Sequence, residues 1–117
     1  MSEWIDVGSV DELERAGRLV VRVAGRELGV LLDRADGSVH GVRNRCPHHS
    51  APLCLGRIRE REQGAAGHYE LSGRRVLRCP WHGWEFDLET GRCVDEPGLR
   101  AAVYRAEIAD GRVRVLA

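Results

Sequence analysis

The sequence predicts an all-β domain built from stacked antiparallel sheets. Short apolar runs rich in valine and leucine recur along the chain, and dipeptides that end in glycine separate them. This pattern is typical of antiparallel strands joined by tight turns. A chain of 117 residues buries one modest core, so we expect a single domain over residues 1–117.

The first part of the chain predicts two strands with a short helical turn between them. The strands cover residues 4–7 and 18–23. Ser9 and Glu12 have the spacing of a capping box, in which each side chain bonds the backbone N–H of the other residue. This box predicts a helical turn that extends through Arg15.

The remaining strands are predicted on either side of four turn dipeptides. The turns are Asp36-Gly37, Ser72-Gly73, Thr90-Gly91 and Asp110-Gly111. The strands beside them are residues 27–33 and 38–43, 69–71 and 75–78, 85–88, and 101–108 and 112–116. Glycine adopts the positive φ that tight hairpin turns require, which favours chain reversal at these positions.

Charge is balanced over the whole chain but unevenly placed. Eighteen basic residues, all arginine, match 18 acidic ones, so we expect neither nucleic acid nor a membrane as a partner. Residues 43–82 nevertheless hold eight arginines against three glutamates, a net charge of +5. These arginines are expected either to steer an acidic partner or to lie solvated on hairpin surfaces.

The chain has no targeting segment that the sequence reveals. No charged N-terminal region precedes an apolar run, and no stretch approaches the about 20 apolar residues of a membrane span. We therefore expect a cytoplasmic protein, in which four cysteines indicate metal binding rather than disulfides. Two of them, Cys54 and Cys93, are predicted to be small buried hydrophobic residues.

Two short motifs combine cysteine with histidine. One is Cys46-Pro47-His48 and the other is Cys79-Pro80-Trp81-His82. Two thiolates and two imidazoles suit either a tetrahedral zinc ion or an iron–sulfur cluster. The spacing alone does not separate these two centres.

The residues around the motifs carry a family resemblance. The runs Cys-Pro-His-His-Ser-Ala-Pro-Leu and Cys-Pro-Trp-His-Gly-Trp-Glu-Phe-Asp-Leu-Glu-Thr-Gly closely resemble the two cluster-binding loops of Rieske [2Fe-2S] proteins. The resemblance implies a Rieske-type fold, with a cluster-binding part at about residues 43–98 formed by two hairpin loops. It also implies one [2Fe-2S] cluster, with Cys46 and Cys79 on one iron and His48 and His82 on the other. His49 is then a bystander.

The ligand set bears on the reduction potential. Two ferric ions, two sulfides, two thiolates and two neutral imidazoles sum to zero charge, and histidine ligation places such clusters at about −150 to +300 mV. Trp84 and Phe86 stand where high-potential relatives have hydroxyl donors. Ala51 and Trp81 stand where those relatives have a disulfide. We therefore expect a potential at the low end of this range.

Further residues are expected to support the two loops. Pro47 and Pro80 fix φ directly after each ligand cysteine, and Gly83 allows a sharp turn after His82. The resemblance implies a third loop over the cluster, which Pro97 is placed to form. Trp81 and Trp84 are expected to shield the cluster or to be core residues. Core packing is favoured for Trp84 because it begins the alternation Trp84-x-Phe86-x-Leu88.

The segment between the two motifs is longer than usual for the resembled family. Residues 57–73 hold the surplus and are expected to form either an extended surface hairpin or a partner-docking element. His68 lies inside this segment and is predicted to be a surface residue. His40, the remaining unassigned histidine besides His49 and His68, completes no mononuclear iron triad with them.

The resemblance implies a small ferredoxin of the type that serves oxygenases. Such a protein carries one electron from a flavin-containing or other reductase to a terminal oxygenase or similar acceptor, and has no substrate chemistry of its own. Two alternatives remain open: the small Rieske subunit of a nitrite-reductase-like enzyme and a structural zinc-binding interaction module. The N-terminal domain of an aromatic-ring hydroxylase is not favoured, because such an enzyme needs a mononuclear iron held by two histidines and a carboxylate.

Overall fold

A computed structural model describes residues 2–65, 68–81 and 83–117 of the chain, and the side chains from 62 to 73 lie outside the description. The described part is mostly β-structure in antiparallel sheets, which confirms the predicted fold class. The elements in chain order are β1 Trp4–Ser9, α1 Val10–Ala16, β2 Arg18–Val23, β3 Arg26–Leu32, β4 Val39–Arg43, a 3₁₀ turn Leu53–Leu55, β5 Arg57–Ala65, β6 His68–Arg78, β7 Glu85–Asp87, β8 Val103–Tyr104, β9 Ala106–Ala109 and β10 Arg112–Leu116.

The strands form three antiparallel sheets. The first sheet has the order β1-β10-β9, the second β2-β3-β4-β8, and the third β5-β6-β7. The third sheet contains β6 and β7, which flank the second Cys/His motif. No helix within the described ranges is long and apolar enough to cross a membrane.

Several local predictions are confirmed. The Ser9 hydroxyl accepts a hydrogen bond from the Glu12 N–H at 3.1 Å, and the Glu12 carboxylate accepts one from the Ser9 N–H at 3.2 Å. This capping box begins α1, and the chain reversals at Asp36-Gly37, Thr90-Gly91 and Asp110-Gly111 lie where expected. These features depend on neighbouring residues, which is why the sequence reveals them.

The hairpin predicted around Ser72-Gly73 is wrong. Both residues lie inside β6, and β5 pairs with β6 from Arg57↔Arg78 to Ala65↔His68. The polar segment after Gly56 forms the strand β5 rather than a loop, and its antiparallel pairing with β6 extends to Ala65↔His68. Arg57–Ala65 and His68–Arg78 thus form one long antiparallel pair, which agrees with the extended surface hairpin, one of the two expectations for this segment.

The C-terminal strand predicted over residues 101–108 is also wrong in part. It is broken at Arg105 into β8 and β9. Gly41 of β4 pairs with Tyr104 of β8 in the second sheet, whereas Ala106 of β9 pairs with Val115 of β10 in the first. The chain therefore changes sheets within this segment. The hairpin from β9 to β10 is as predicted.

The buried residues form two clusters. One lies between the first two sheets and α1 and contains Val7, Leu13, Val30, Val113 and Val115. The other lies beneath the two Cys/His motifs and contains all four cysteines together with Leu53, Leu77 and Phe86. The second cluster gives the motif loops an apolar floor.

Candidate metal centre

The first Cys/His motif lies on residues 44–56, which we call the first ligand loop. This loop leaves β4 of the second sheet and enters β5 of the third sheet. It is therefore a connection between sheets and not a hairpin tip, which corrects the predicted pair of hairpin loops. The second ligand loop, residues 79–84, does join the antiparallel neighbours β6 and β7.

The two loops share one backbone arrangement around their cysteines. In the first, the Cys46 N–H donates to the Ala51 carbonyl at 2.9 Å, and the Cys46 carbonyl accepts from the Ser50 N–H at 2.8 Å. In the second, the Cys79 N–H donates to the Trp84 carbonyl at 2.7 Å, and the Cys79 carbonyl accepts from the Gly83 N–H at 3.2 Å.

The spacing of these bonds is the same in both loops. Each cysteine bonds the residues four and five positions later, although the histidines stand two positions after Cys46 and three after Cys79. The residue four positions later has a positive φ in both cases, 59° at Ser50 and 70° at Gly83. Gly83 thus makes the predicted sharp turn, whereas the unusual backbone of Ser50 was not foreseen.

A close contact also joins the end of the first loop to the start of the second. A Cβ atom built on Gly56 would lie 2.1 Å from the Arg78 carbonyl oxygen, a distance that real Cβ atoms essentially never show. Only glycine permits this approach. It fixes the first ligand loop against the backbone directly before Cys79.

The predicted ligand cysteines are buried side by side. Cys46 is 1% exposed and Cys79 is 3% exposed. Burial raises the pKa of the Cys46 thiol, the backbone N–H of His48 opposes this rise, and the neighbouring Cys79 thiol adds to it. A bound metal ion would instead lower the pKa of this thiol, because a thiol that coordinates a metal ion is deprotonated.

Of the two predicted histidine ligands, His48 is half-buried between aromatic neighbours. Its ring stacks on Trp84 with a centroid distance of 4.1 Å, and it meets the ring of His49 edge-on at 3.9 Å. His82 lies outside the described residues. The structure therefore places the Cys46 and Cys79 thiols next to each other and His48 against Trp84 of the second loop. The ligand roles of Cys46, His48, Cys79 and His82 stay predictions.

The two tryptophans of the second loop differ in their surroundings. Trp84 is half-buried and packs partly against the cluster of buried residues beneath the loops, which agrees with the core packing expected for it. Its stack on His48 adds a contact to a predicted ligand. Trp81 is 58% exposed and so is not a core residue.

The third loop predicted to cover the site follows β7. The Asp95 carboxylate accepts from the Glu85 N–H at 2.9 Å, and the Val94 N–H donates to the Glu85 carbonyl at 2.8 Å. These bonds tie the segment to the residue directly after Trp84. Pro97 itself is exposed, and its position over the site stays a prediction.

The two remaining cysteines are buried, as expected. Cys54 and Cys93 are both fully buried and unpaired as free thiols. Burial raises the pKa of the Cys54 thiol to about 12, so this thiol stays protonated. The backbone N–H of Cys54 donates to the Asn44 side chain at 2.8 Å, which closes the first ligand loop on itself.

Half of the arginines that made residues 43–82 basic take part in ion pairs. Arg59 and Arg61 pair with Glu85, Arg74 pairs with Asp87, and Arg75 pairs with Asp33. In these four pairs, the carboxylates belong to residues outside 43–82. Tertiary contacts thus neutralise much of the positive charge that the sequence suggested for this region.

The donor set fits a [2Fe-2S] cluster of the mixed cysteine and histidine type. The two thiols adjoin each other, and the His48 ring stacks on Trp84 of the second loop. This grouping matches a ligation in which both cysteines bind one iron and histidine binds the other. Within residues 2–65, 68–81 and 83–117, no three His, Cys, Asp or Glu side chains converge as a mononuclear metal site.

Comparison with known proteins agrees with this donor set. The model of the Rieske [2Fe-2S] domain family matches residues 3–115. The chain is 35% identical over 97 residues to the 3-chlorobenzoate-3,4-dioxygenase oxygenase subunit of Comamonas testosteroni. The match covers 83% of this chain and 19% of that protein, so the chain spans about a fifth of the length of this relative.

Solved structures match the chain over nearly its full length. A Mycobacterium tuberculosis protein assigned as an NADH-dependent nitrite reductase small subunit has a TM-score of 0.82 and 26% identity, covering 100% of this chain and 96% of its own. The ferredoxin of carbazole 1,9a-dioxygenase from Nocardioides aromaticivorans has a TM-score of 0.69 and 24% identity, covering 96% and 95%. These similarities confirm the predicted fold.

Proposed function

Because the chain belongs to the Rieske [2Fe-2S] domain family, whose members bind a [2Fe-2S] cluster, we propose that it is a one-electron carrier. It takes an electron from a flavin-containing or other reductase and passes it to a terminal oxygenase or a similar acceptor. The observation that carries this proposal is the pair of buried, adjoining thiols of Cys46 and Cys79, brought together from two loops.

The residues of the two loops divide the work of holding the cluster. Cys46, His48, Cys79 and His82 are the proposed ligands. The cluster supplies reversible one-electron chemistry when bound. The apolar floor beneath Cys46 and Cys79 excludes water from their sulfurs, and Trp84 orients the imidazole of His48.

The difference in burial between the ligands suggests where an electron leaves. His48 is half-buried, whereas both cysteines are nearly inaccessible. A partner that contacts the imidazole edge comes closer to the cluster than one that approaches from the cysteine side.

We infer that the chain acts on no substrate of its own.

Visible absorption, iron, sulfide and zinc analysis and low-temperature EPR after dithionite reduction test this proposal. We expect two irons, two sulfides and a rhombic signal with an average g below that of all-cysteine clusters. C79S is expected to abolish the signal, whereas C93S, which alters a buried cysteine outside the motifs, keeps it. H48A and its neighbour H49A form a second matched pair. Colourless protein that holds one zinc after attempted reconstitution would support the zinc module instead.

A second candidate is the small Rieske subunit of a nitrite-reductase-like enzyme. The full-length match to the Mycobacterium tuberculosis protein favours it. The two candidates differ in how the chain meets its acceptor. Stable co-elution with the large subunit of such an enzyme in gel filtration would favour the subunit. Electron transfer to an oxygenase without stable co-elution would favour the carrier.

A further inference from the structure

A groove with a volume of about 470 Å³ lies beside the first ligand loop, between the end of α1, the end of β3 and the start of β5. We call it the basic groove. Its charged lining consists of four arginines and one carboxylate: Arg18, Arg34, Arg57, Arg75 and Asp33. The lining is therefore strongly positive although the whole chain has no net charge.

One of these arginines, Arg75, is neutralised by the buried Asp33. Arg75 donates two hydrogen bonds to Asp33, from Nε and Nη2, both at 2.8 Å. Asp33 is 2% exposed, so its carboxylate is committed to this pair. Asp33 is also the one carboxylate in the lining, which leaves the charges of the other three arginines uncompensated there.

Neutral groups hold two of the other arginines in place. Arg18 donates to the Cys54 carbonyl at 2.6 Å, and Arg34 donates to the Glu14 carbonyl at 2.6 Å. A carbonyl fixes a guanidinium without cancelling its charge, and each guanidinium keeps further N–H donors. Arg57 is exposed and forms no ion pair with a residue that the structure describes.

The basic groove continues toward the proposed cluster site. Gly56 and Arg57 line both this groove and a second cavity of about 480 Å³, whose wall includes Cys79 and Trp81. Leu55 and Trp81 also line this second cavity, and each is 58% exposed. They are the most exposed large hydrophobic residues in the described part of the chain.

We propose that the basic groove and the exposed pair Leu55 and Trp81 form one docking surface for the acidic segment of a redox protein partner. This proposal rests on the proposed function and adds the chemistry and the place of the contact. Carboxylates of the partner bind along Arg34 and Arg57, which steers the encounter. An adjoining apolar side chain of the partner packs on Leu55 and Trp81 beside Cys79.

The apolar pair is the reason for proposing a protein rather than a small anion. A free phosphate gains nothing from Leu55 and Trp81, whereas protein interfaces combine an apolar centre with a charged rim. The surface includes Cys79, Pro80 and Trp81 of the second ligand loop, so a partner docked on it contacts that loop. Charge and position thus favour an acidic electron-transfer protein.

Binding of two fluorescein-labelled peptides to the oxidised holoprotein tests the proposal. One peptide is octaglutamate, and the other is octaglutamate with a Leu-Phe tail. We expect both peptides to bind less tightly as salt rises, because exposed charges are screened. The tailed peptide is expected to bind more tightly, and L55S is expected to remove that difference. R34E/R57E is expected to weaken binding of both peptides about tenfold or more.

Controls make each outcome decisive. R105E reverses the charge of an exposed arginine that lines neither cavity, and two such changes in R92E/R105E match the double variant in charge. Equal loss of binding in R92E/R105E and R34E/R57E would overturn the proposal, as would equal affinity of the wild type for the two peptides. Displacement of both peptides by low millimolar phosphate would indicate a small-anion site instead. The visible spectrum of each variant reports the cluster separately, so failure of the docking surface is distinguishable from failure of the electron-carrier proposal.

Discussion

The imidazole ring of His48 stacks on the indole ring of Trp84 at a centroid distance of 4.1 Å and an interplanar angle of 26°. The two residues belong to different ligand loops, so this contact fixes one loop against the other. Trp84 also packs against the buried residues beneath the loops. The position of a proposed ligand is thereby set by the core of the protein.

Removal of this stack should accelerate loss of the cluster. Aromatic pairs contribute about 0.5–1.5 kcal/mol, which corresponds to roughly 2- to 12-fold in rate if the contact is lost when the cluster leaves. In the presence of an iron chelator, we expect W84A to lose its visible absorption faster than the wild type, by a factor within or above this range. W84F retains a ring and should lie between the two. W81A removes an exposed tryptophan of the same loop, and equally fast loss in W81A would contradict a special role for the stack.

Gly29 and Cys54 form a second close pair, in the core beneath the first ligand loop. A Cβ atom on Gly29 would lie 2.3 Å from the Cys54 sulfur, so G29A overpacks this site. We expect G29A to lower the free energy of unfolding by about 1–3 kcal/mol in urea titrations. In a C54A background the same change should cost less, because the sulfur is gone. Additive effects in the double variant would show that the clash lies elsewhere. As a control, G98A should cost little, because its added Cβ would lie 3.9 Å from the Glu96 Oε1.

The ion pair between the buried Asp33 and the partly exposed Arg75 leads to a different prediction. R75M leaves the Asp33 carboxylate buried without its cationic partner, which typically costs 3–5 kcal/mol, so we expect a loss of about this size. R74M removes the more exposed pair with Asp87 and should cost about 1 kcal/mol or less. Chemical unfolding at neutral pH measures both. Adding D33N to R75M should restore part of the stability, and no recovery would argue against an uncompensated charge as the cause.

His40 predicts a pH dependence of stability that is separate from the ligand loops. Burial lowers the pKa of His40. The charge of Arg75 lowers this pKa further, whereas the charges of three carboxylates raise it: Asp33, Asp36 and Glu89. The pKa of His40 is near 6.5 in the unfolded chain and lower in the folded chain. At pH values between these two pKa values, the unfolded chain binds more protons at His40 than the folded chain does. Stability therefore decreases as the pH falls below about 6.5.

The variant H40Q should lose this part of the pH dependence. Urea titrations at pH 7.5 and pH 5.5 measure the free energy of unfolding of both proteins, and we expect the wild type to lose more stability between these two values. Parallel losses in wild type and H40Q would mean that His40 titrates alike in the folded and unfolded chains. Ser38 lies 2.7 Å from the His40 Nε2, so S38A shows whether this contact contributes.

Local sequence signals predicted much of the framework. The capping box of Ser9 and Glu12 and the reversal at Asp110-Gly111 depend on side chains within a few positions of each other, and both are found as expected. The prediction of a chain reversal at Ser72-Gly73 was wrong, because the same dipeptide is also compatible with a strand. Pairing of β6 along its length with the preceding strand β5 decided between the two, and the Ser72-Gly73 dipeptide carries no signal of that pairing.

The sequence by itself determined the type and spacing of the proposed ligands, because cysteine and histidine are the donors that such a cluster needs and local proline and glycine shape their loops. Only the tertiary structure decided that the first ligand loop joins two sheets, that Trp84 meets His48, and that Arg75 is neutralised by Asp33 while Arg57 is not. These contacts join residues that are far apart in the chain. Strand register and core packing bring them together, and both are properties of the whole fold rather than of any short segment.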